Sequence, residues 1–382
     1  MKILFIVSTL QNTGPINQLY GIIHHLDRKE FTPYIVTLSN EPKDSKRYLF
    51  EEDQVEIESL GLGRAAFLLL GRARLEKMIA NIAPDIIHTC GIRADTLMKK
   101  LRLNIPVCTT IRNDVFEDYI PLYGKFRGTV MGIWHERAIK KMKYPVCCSK
   151  TLKETYEKRL KRVIYAIQNG VDIQQFYVMD REARQIVRNK LKLPIDRKII
   201  VVVGDLIERK DPYTIIRAAQ SVLAKQPFLL LFIGDGMLEK ELRGWESDCI
   251  RMLGRKKNVW EYFQAADFYI SASKSEGLPN TVLEAGACGL PMILSDIPQH
   301  REIFEDTVVD GVYFFEVKNE DQLAGIIFSF LENCPKYSRS EIGSYIQQTF
   351  DSKVMSGRYQ HFYRNIATVQ WKQDKEYKIK ND

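Results

Sequence analysis

At 382 residues and 44.4 kDa the chain is too long for one common-sized core and suits two domains of roughly 150 to 200 residues each. Hydrophobic residues at 45% and charged residues at 27% exclude a disordered or fibrous chain, and the longest apolar runs, residues 3–10 and 228–234, fall far short of the roughly 20 residues that span a bilayer. The net charge of +8 is uneven: residues 91–162 carry seventeen Lys and Arg against seven Asp and Glu, a local +10 that favours an anionic partner unless these are simply solvated helix faces.

From the N-terminus, β-branched runs at 2–8, 31–38, 55–60, 85–88, 106–111, 144–149 and 163–167 read as strands, separated by helical stretches near 15–27, 65–82, 92–102, 124–142 and 150–161. Met1-Lys2 enters the first strand directly, so no secretory leader is expected. Gln168-Asn169-Gly170-Val171-Asp172 is a turn signal, and a charged helix at 180–191 follows it. A second alternation then begins. Its strands are expected at 198–204, 228–234, 249–253, 267–272, 291–294 and 312–315, and its helices near 212–225, 237–245, 258–265, 280–289 and 319–332. The pattern is α/β, with two doubly wound parallel sheets whose ligands bind beyond the carboxyl ends of the strands. The closing helix is placed at 350–366, with Val354, Tyr359, Phe362, Tyr363 and Ile366 on one side and a polar, frayed tail over 367–382.

The seven cysteines, at 90, 108, 147, 148, 249, 288 and 334, are odd in number and lack C-x-x-C spacing, which points to a reduced cytosolic protein without a zinc site. No D-x-D motif is present either, so no metal and no cofactor is expected.

The stretch 267–291 carries the most chemistry. A strand ends at Ala272, a turn follows, and a helix is expected from about Thr281 with Asn280 as its cap. Backbone N–H groups at such a helix start suit a phosphate. Glu276 before it and Glu284 eight residues later could accept hydrogen bonds from sugar and ribose hydroxyls, or be an ordinary turn acid and a helix-dipole partner.

Glu276 and Glu284 with seven residues between them, followed by Ala285 and Gly289-Leu290-Pro291, resemble the signature of retaining glycosyltransferases of family 4 with the GT-B fold, of the bacterial surface polysaccharide type. The likeness covers nearly the whole chain, through Gly14-Pro15, Pro84-Asp85-Ile86-Ile87-His88, Asn169-Gly170-Val171-Asp172, Glu208-Arg209-Lys210-Asp211 and Ile233-Gly234-Asp235-Gly236. It implies two Rossmann-like domains facing a central cleft, 1–168 on the acceptor side and 169–349 on the nucleotide-sugar side, with the C-terminal helix returning to the first.

By that resemblance Glu276 would touch the donor sugar, with Lys210 and Arg209 neutralising the departing diphosphate. Glu284 would bind the ribose, and the backbone of Gly277, Leu278, Pro279, Asn280 and Thr281 would hold the diphosphate. Gly204, Gly234 and Gly236 would shape the nucleotide pocket, with Arg255 meeting the base through its backbone, while Gly14, His88 and Arg112 would lie on the acceptor side. His88 could equally be a buried structural histidine.

Two departures stand out. Asp205 occupies a position where many members have Arg, so it is expected to point away while Arg209 supplies the second cation. Arg112 replaces a strand-end His and cannot act as a general base.

The implied reaction is retaining, metal-independent transfer of a hexosyl or N-acetylhexosaminyl group from a nucleotide diphosphate sugar, UDP foremost, to a glycan or lipid-linked acceptor, with no nucleic acid involved. An epimerase of the same architecture and a non-catalytic glycan-binding protein are the rivals. The expected location is cytoplasmic, at the inner face of the membrane. There Lys125, Arg127, Arg137, Lys140, Lys141 and Lys143 would contact anionic lipid while most of the interleaved Phe126, Val130, Met131, Ile133, Trp134, Ile139 and Met142 pack on the sheet.

Overall fold

The computed structural model describes residues 1–62, 64–101, 103–305, 307–333 and 338–379, the side chains of 64–69, 333 and 369–379 apart; Cys334 lies outside these residues. The chain divides into two compact units, Met1–Gly170 with Ser352–Asp382, and Val171–Asp351.

The first unit holds a seven-stranded sheet of β1 (Lys2–Val7), β2 (Thr32–Thr37), β3 (Glu56–Ser59), β4 (Ile86–Thr89), β5 (Val107–Ile111), β6 (Tyr144–Cys147) and β7 (Tyr165–Ala166). The strand order is β3-β2-β1-β4-β5-β6-β7, and every pair is parallel. Alternation in β1 sends Ile3, Phe5 and Val7 to one apolar layer and Leu4 and Ile6 to the other, so both faces are covered. The helix Ser352–Ile379 packs in the first of these layers through Met355, Tyr359, Phe362, Tyr363 and Ile366.

Two expectations fail on that helix. Val354 is exposed and Met355 takes its place in the core. The polar tail is also helical as far as Ile379, because its Lys, Gln and Glu residues are good helix formers even without an apolar face.

The second unit contains β8 (Lys198–Val203), β9 (Phe228–Ile233), β10 (Ile250–Met252), β11 (Phe268–Ser271), β12 (Met292–Ser295) and β13 (Val312–Phe315), ordered β10-β9-β8-β11-β12-β13 and parallel throughout. In each sheet the direction of winding reverses once, between β1 and β4 and between β8 and β11. Loops leaving neighbouring strands diverge there and open a crevice at the carboxyl edge.

Among the helices absent from the sequence reading, two are longer than a couple of turns. Val115–Tyr123 starts at Asp114, whose carboxylate accepts from Phe116 N at 2.9 Å, and it includes Pro121 two residues before its end. Arg339–Phe350 is capped by Ser338, which accepts from Glu341 N at 3.2 Å, the local arrangement of a capping box.

The helix Lys125–Lys141 differs from expectation in the direction its faces point. Gly128 and Gly132 form a seam against the helix Val115–Tyr123: a Cβ on Gly128 would lie 2.5 Å from Ile120 Cα, and one on Gly132 would lie 2.7 Å from the Phe116 ring. Ile139 and Met142 are buried as expected, but Phe126, Val130, Ile133 and Trp134 are exposed. With the glycines and His135 occupying the inward face, those four have no core to enter. No helix among the described residues is long and apolar enough to cross a membrane.

Candidate active site

In the second unit the crevice between β8 and β11 is a shallow hollow lined by Gly204, Asp205, Lys210, Tyr269 and Ser273 among others. Gly204 (φ 149°) ends β8 and turns the chain into a 3-10 turn, Glu208–Lys210. The Gly204–Leu206 backbone passes so close to the end of β9 that a Cβ on Gly234 (φ 148°) would sit 1.9 Å from Gly204 O. Leu206 N donates to Asp235 O at 2.7 Å across this approach. A Cβ on Gly236 (φ 156°) would likewise lie 2.4 Å from Leu206 O, so Gly204, Gly234 and Gly236 set the shape of the loops at the carboxyl edge.

The loop after β11 is joined to the loop after β8 by Lys274 N donating to Arg209 O at 2.8 Å. Beside that link Lys210 Nζ lies 2.5 Å from Glu276 Oε1, and Arg209 Nη1 lies 3.0 Å from Glu276 Oε2 and 2.7 Å from Ser275 O. One buried carboxylate thus holds two cations, one per oxygen. Burial alone would raise the Glu276 carboxyl, but the charges of Lys210 and Arg209, with hydrogen bonds from Lys210 and Ser273, hold it well below the usual carboxylate range.

Beneath Glu276 lies a buried polar floor that the sequence did not reveal. His300 Nδ1 is 2.8 Å from Ser295 O, and a carbonyl only accepts, so Nδ1 carries the proton. Nε2 then accepts from Ser271 Oγ at 3.4 Å, and Ser295 Oγ donates to Ser273 O at 2.6 Å. Burial pushes His300 down to about 4, so it is neutral at neutral pH. These residues come from the ends of β11 and β12 and from the helix Pro298–Ile303, and only the folded sheet brings them together.

The helix after Glu276 is Asn280–Ala287, with Pro279 at its cap position and no side chain capping it. Asn280 is therefore the first helical residue rather than the cap, and Pro279, having no N–H, supplies no donor to an anion. Thr281 Oγ1 lies 2.9 Å from the Tyr269 hydroxyl. Burial raises that phenol, and Glu276 and Glu284 add to the shift, so both acids lie within electrostatic reach of one buried group. Asp205 is exposed, with Arg255 Nη2 3.8 Å from it. Arg255 makes a two-pronged pair with Asp235 at 2.8 and 3.1 Å, which fixes its guanidinium on that carboxylate.

In the first unit Gly14 opens the helix Gly14–His24 after Thr13, with a proline in the first turn. His88, an acceptor-side candidate, is buried in β4. Its Nδ1 is 2.7 Å from the Tyr363 hydroxyl and its Nε2 is 2.7 Å from Thr110 Oγ1. Burial, helped by Arg112, pushes it down to about 3. With both nitrogens engaged inside the core, His88 is structural and is not presented to an acceptor.

Arg112 follows β5 and donates to Asn169 Oδ1 at 2.6 Å, while its buried Nε has no partner. Burial opposes its charge, but Tyr359, Cys90 and Cys148 raise its pKa overall. Nearby runs a relay absent from the sequence reading: Tyr119 hydroxyl to His135 Nδ1 (2.7 Å), His135 Nε2 to Asp95 Oδ2 (2.7 Å), and Thr89 and Thr109 hydroxyls donating to Asp95 Oδ1. It ties the helix Lys125–Lys141 to the ends of β4 and β5.

Comparison with known proteins agrees with this architecture. Residues 14–175 match the model described as Glycosyltransferase Family 4, and residues 183–348 match Glycosyl transferases group 1. The O-antigen biosynthesis glycosyltransferase WclY of Escherichia coli is 25% identical, over 96% of this chain and 99% of that one. The Escherichia coli UDP-Gal:alpha-D-GlcNAc-diphosphoundecaprenol alpha-1,3-galactosyltransferase is 28% identical over 54% of this chain and 52% of its own. Among solved structures, Anabaena Alr3699/HepE in complex with UDP-glucose shares the fold, with a TM-score of 0.78 and 17% identity over 96% of this chain and 100% of that one. Two Rossmann-like parallel sheets, a family 4 match on the first and a group 1 match on the second place the chain among the glycosyltransferases of the GT-B fold.

Proposed function

We propose that this protein transfers a hexosyl or N-acetylhexosaminyl group, with retention and without a divalent metal, from a UDP-sugar to a hydroxyl of a glycan or lipid-linked acceptor at the cytoplasmic side of the membrane. The observation that carries the reading is the buried carboxylate of Glu276 shared between Lys210 and Arg209 at the β8/β11 crevice. Two cations at a strand-end crevice beside an uncapped helix start suit a diphosphate, and they can carry the charge that a metal would otherwise balance. Glu276 and Glu284, held ionised or half-buried nearby, suit sugar and ribose hydroxyls. The galactosyltransferase relative, named for a UDP-Gal donor and a GlcNAc-diphosphoundecaprenol acceptor, supports the donor and acceptor classes.

In this reading, a donor diphosphate draws Lys210 and Arg209 partly away from Glu276, which turns its freed oxygens to the sugar. As the glycosidic bond breaks, charge builds on the leaving phosphate, where the two cations act most strongly. The acceptor hydroxyl gives its proton to the departing phosphate on the same face as it bonds to the anomeric carbon, which gives retention. A screen of UDP-, GDP- and ADP-sugars for thermal stabilisation tests the donor. NMR of the product's anomeric proton tests the stereochemistry. Stabilisation by no UDP-sugar, or an inverted product, overturns the proposal.

A further inference from the structure

We infer that the helical hairpin at residues 115–141 docks this protein on an anionic phospholipid bilayer, with Phe126 and Trp134 entering the boundary between headgroups and acyl chains. This goes beyond the transfer reaction and does not depend on the choice of donor. The largest run of exposed apolar side chains in the described residues lies here: Leu122, Tyr123, Phe126, Val130, Ile133 and Trp134, with Phe126 83% and Trp134 62% exposed. They are exposed for a structural reason. Gly128 and Gly132 close the seam with the neighbouring helix, and at 100° per residue Phe126, Val130, Ile133 and Trp134 fall on the side opposite that seam.

The same outer side carries Arg137, Lys140 and Lys141, with Lys125 and Arg127 at the tip, and all five are exposed. Between residues 119 and 143 the single carboxylate is Glu136, and it is paired with Arg159 at 3.2 Å. Aromatic and aliphatic side chains ringed by Lys and Arg, with Trp and Tyr at the margin, match the layered chemistry of an anionic membrane surface. A second copy of this chain fits poorly, because a face-to-face pair would oppose two basic rings, and protein interface cores are depleted in Lys. The face is also anchored: His135 on the inward side is held by Asp95 and Tyr119, so the hairpin is presented as a rigid element.

The apolar component sets this surface apart from a purely basic one. Salt near 1 M, where the screening length is roughly 3 Å, removes attraction to headgroup charge but leaves apolar insertion in place. The test is co-sedimentation of the full chain with phosphatidylcholine vesicles with and without phosphatidylglycerol, alongside Phe126→Ser/Trp134→Ser and Lys140→Glu/Lys141→Glu. None of these positions belongs to the proposed donor machinery, and all are exposed, so unchanged melting and donor-induced stabilisation verify the fold.

Binding is expected to require phosphatidylglycerol and to fall about tenfold in either double variant. A salt-resistant fraction should persist in the wild type but not in Phe126→Ser/Trp134→Ser. Brominated lipid should quench tryptophan emission in the wild type and lose that effect in Trp134→Phe. The inference is overturned if anionic vesicles do not carry the protein down, if Phe126→Ser/Trp134→Ser binds like the wild type, or if the protein instead forms a dimer which that variant dissociates.

Discussion

Lys210 Nζ stands 2.5 Å from Glu276 Oε1, so the cation proposed for the donor's phosphates and the acid proposed for its sugar neutralise each other before any donor arrives. An unpaired charge at such a buried site costs several kcal/mol, and the pair keeps Glu276 ionised and both side chains positioned until a diphosphate competes for the lysine. Removing Lys210 leaves Glu276 with Arg209 alone. Lys210→Ala should therefore lower kcat by about 100- to 1,000-fold while changing KM far less, since the lysine's charge matters most as the leaving phosphate develops. Steady-state kinetics with the donor identified by thermal stabilisation decides it; a pure KM effect would assign Lys210 to ground-state binding.

Glu284 sits one turn inside the helix Asn280–Ala287 and, with Glu276, acts electrostatically on Tyr269. A charged acceptor lost from a pair of ribose hydroxyls costs roughly 1.5 to 3 kcal/mol, so Glu284→Ala should weaken donor binding by about one to two orders of magnitude. Calorimetric titration with the nucleoside diphosphate alone is sufficient, and an unchanged dissociation constant takes Glu284 out of the site.

Transfer should also survive a chelator. Lys210, Arg209 and the uncapped helix start at Asn280 together offer the positive field that a diphosphate requires. Activity assayed in excess EDTA should match the untreated enzyme. Loss in EDTA with recovery on magnesium or manganese would mean that these cations do not suffice.

The acids and cations of this site were legible because Glu276, Glu284, Arg209 and Lys210 each sit in a short loop, a short turn or the start of a helix that follows a strand end, where local sequence determines placement. The floor beneath Glu276 was not, because Ser271, Ser273, Ser295 and His300 meet only when β11 and β12 pair in register. The two readings of His88 could not be separated for a related reason. A strand-end imidazole reads as accessible until the helix Ser352–Ile379 folds back and places Tyr363 on it. The helix Val115–Tyr123 was hidden by Pro121, whereas Ser338 with Glu341 three residues on was a readable capping signal. The outward-facing hairpin shows a limit of periodicity. Apolar spacing in Lys125–Lys141 identified the helix, but Gly128 and Gly132 decided which face turns inward.

His300 gives the second unit a definite acid sensitivity. It is the only histidine between Val171 and Asp351, it is fully buried, and its folded pKa of about 4 lies below the ordinary value of 6.5. As pH falls below about 6.5 the unfolded chain takes up a proton that the folded unit refuses, so stability drops by about 1.4 kcal/mol per pH unit until the pH nears the folded value. Glu276 acts in the same direction but later. Its folded pKa lies well below that of a free carboxyl, so its contribution is complete above about pH 5 and is lost only under more acid conditions. Between about pH 6.5 and 5, therefore, the loss in this unit belongs to His300. Hydrogen exchange at the amides of β8, β11 and β12, followed across that range in the full chain, should show protection falling with pH in the wild type and staying nearly flat in His300→Gln, whose amide can still donate to the Ser295 carbonyl. The same slope in both proteins would assign the acid sensitivity to other groups.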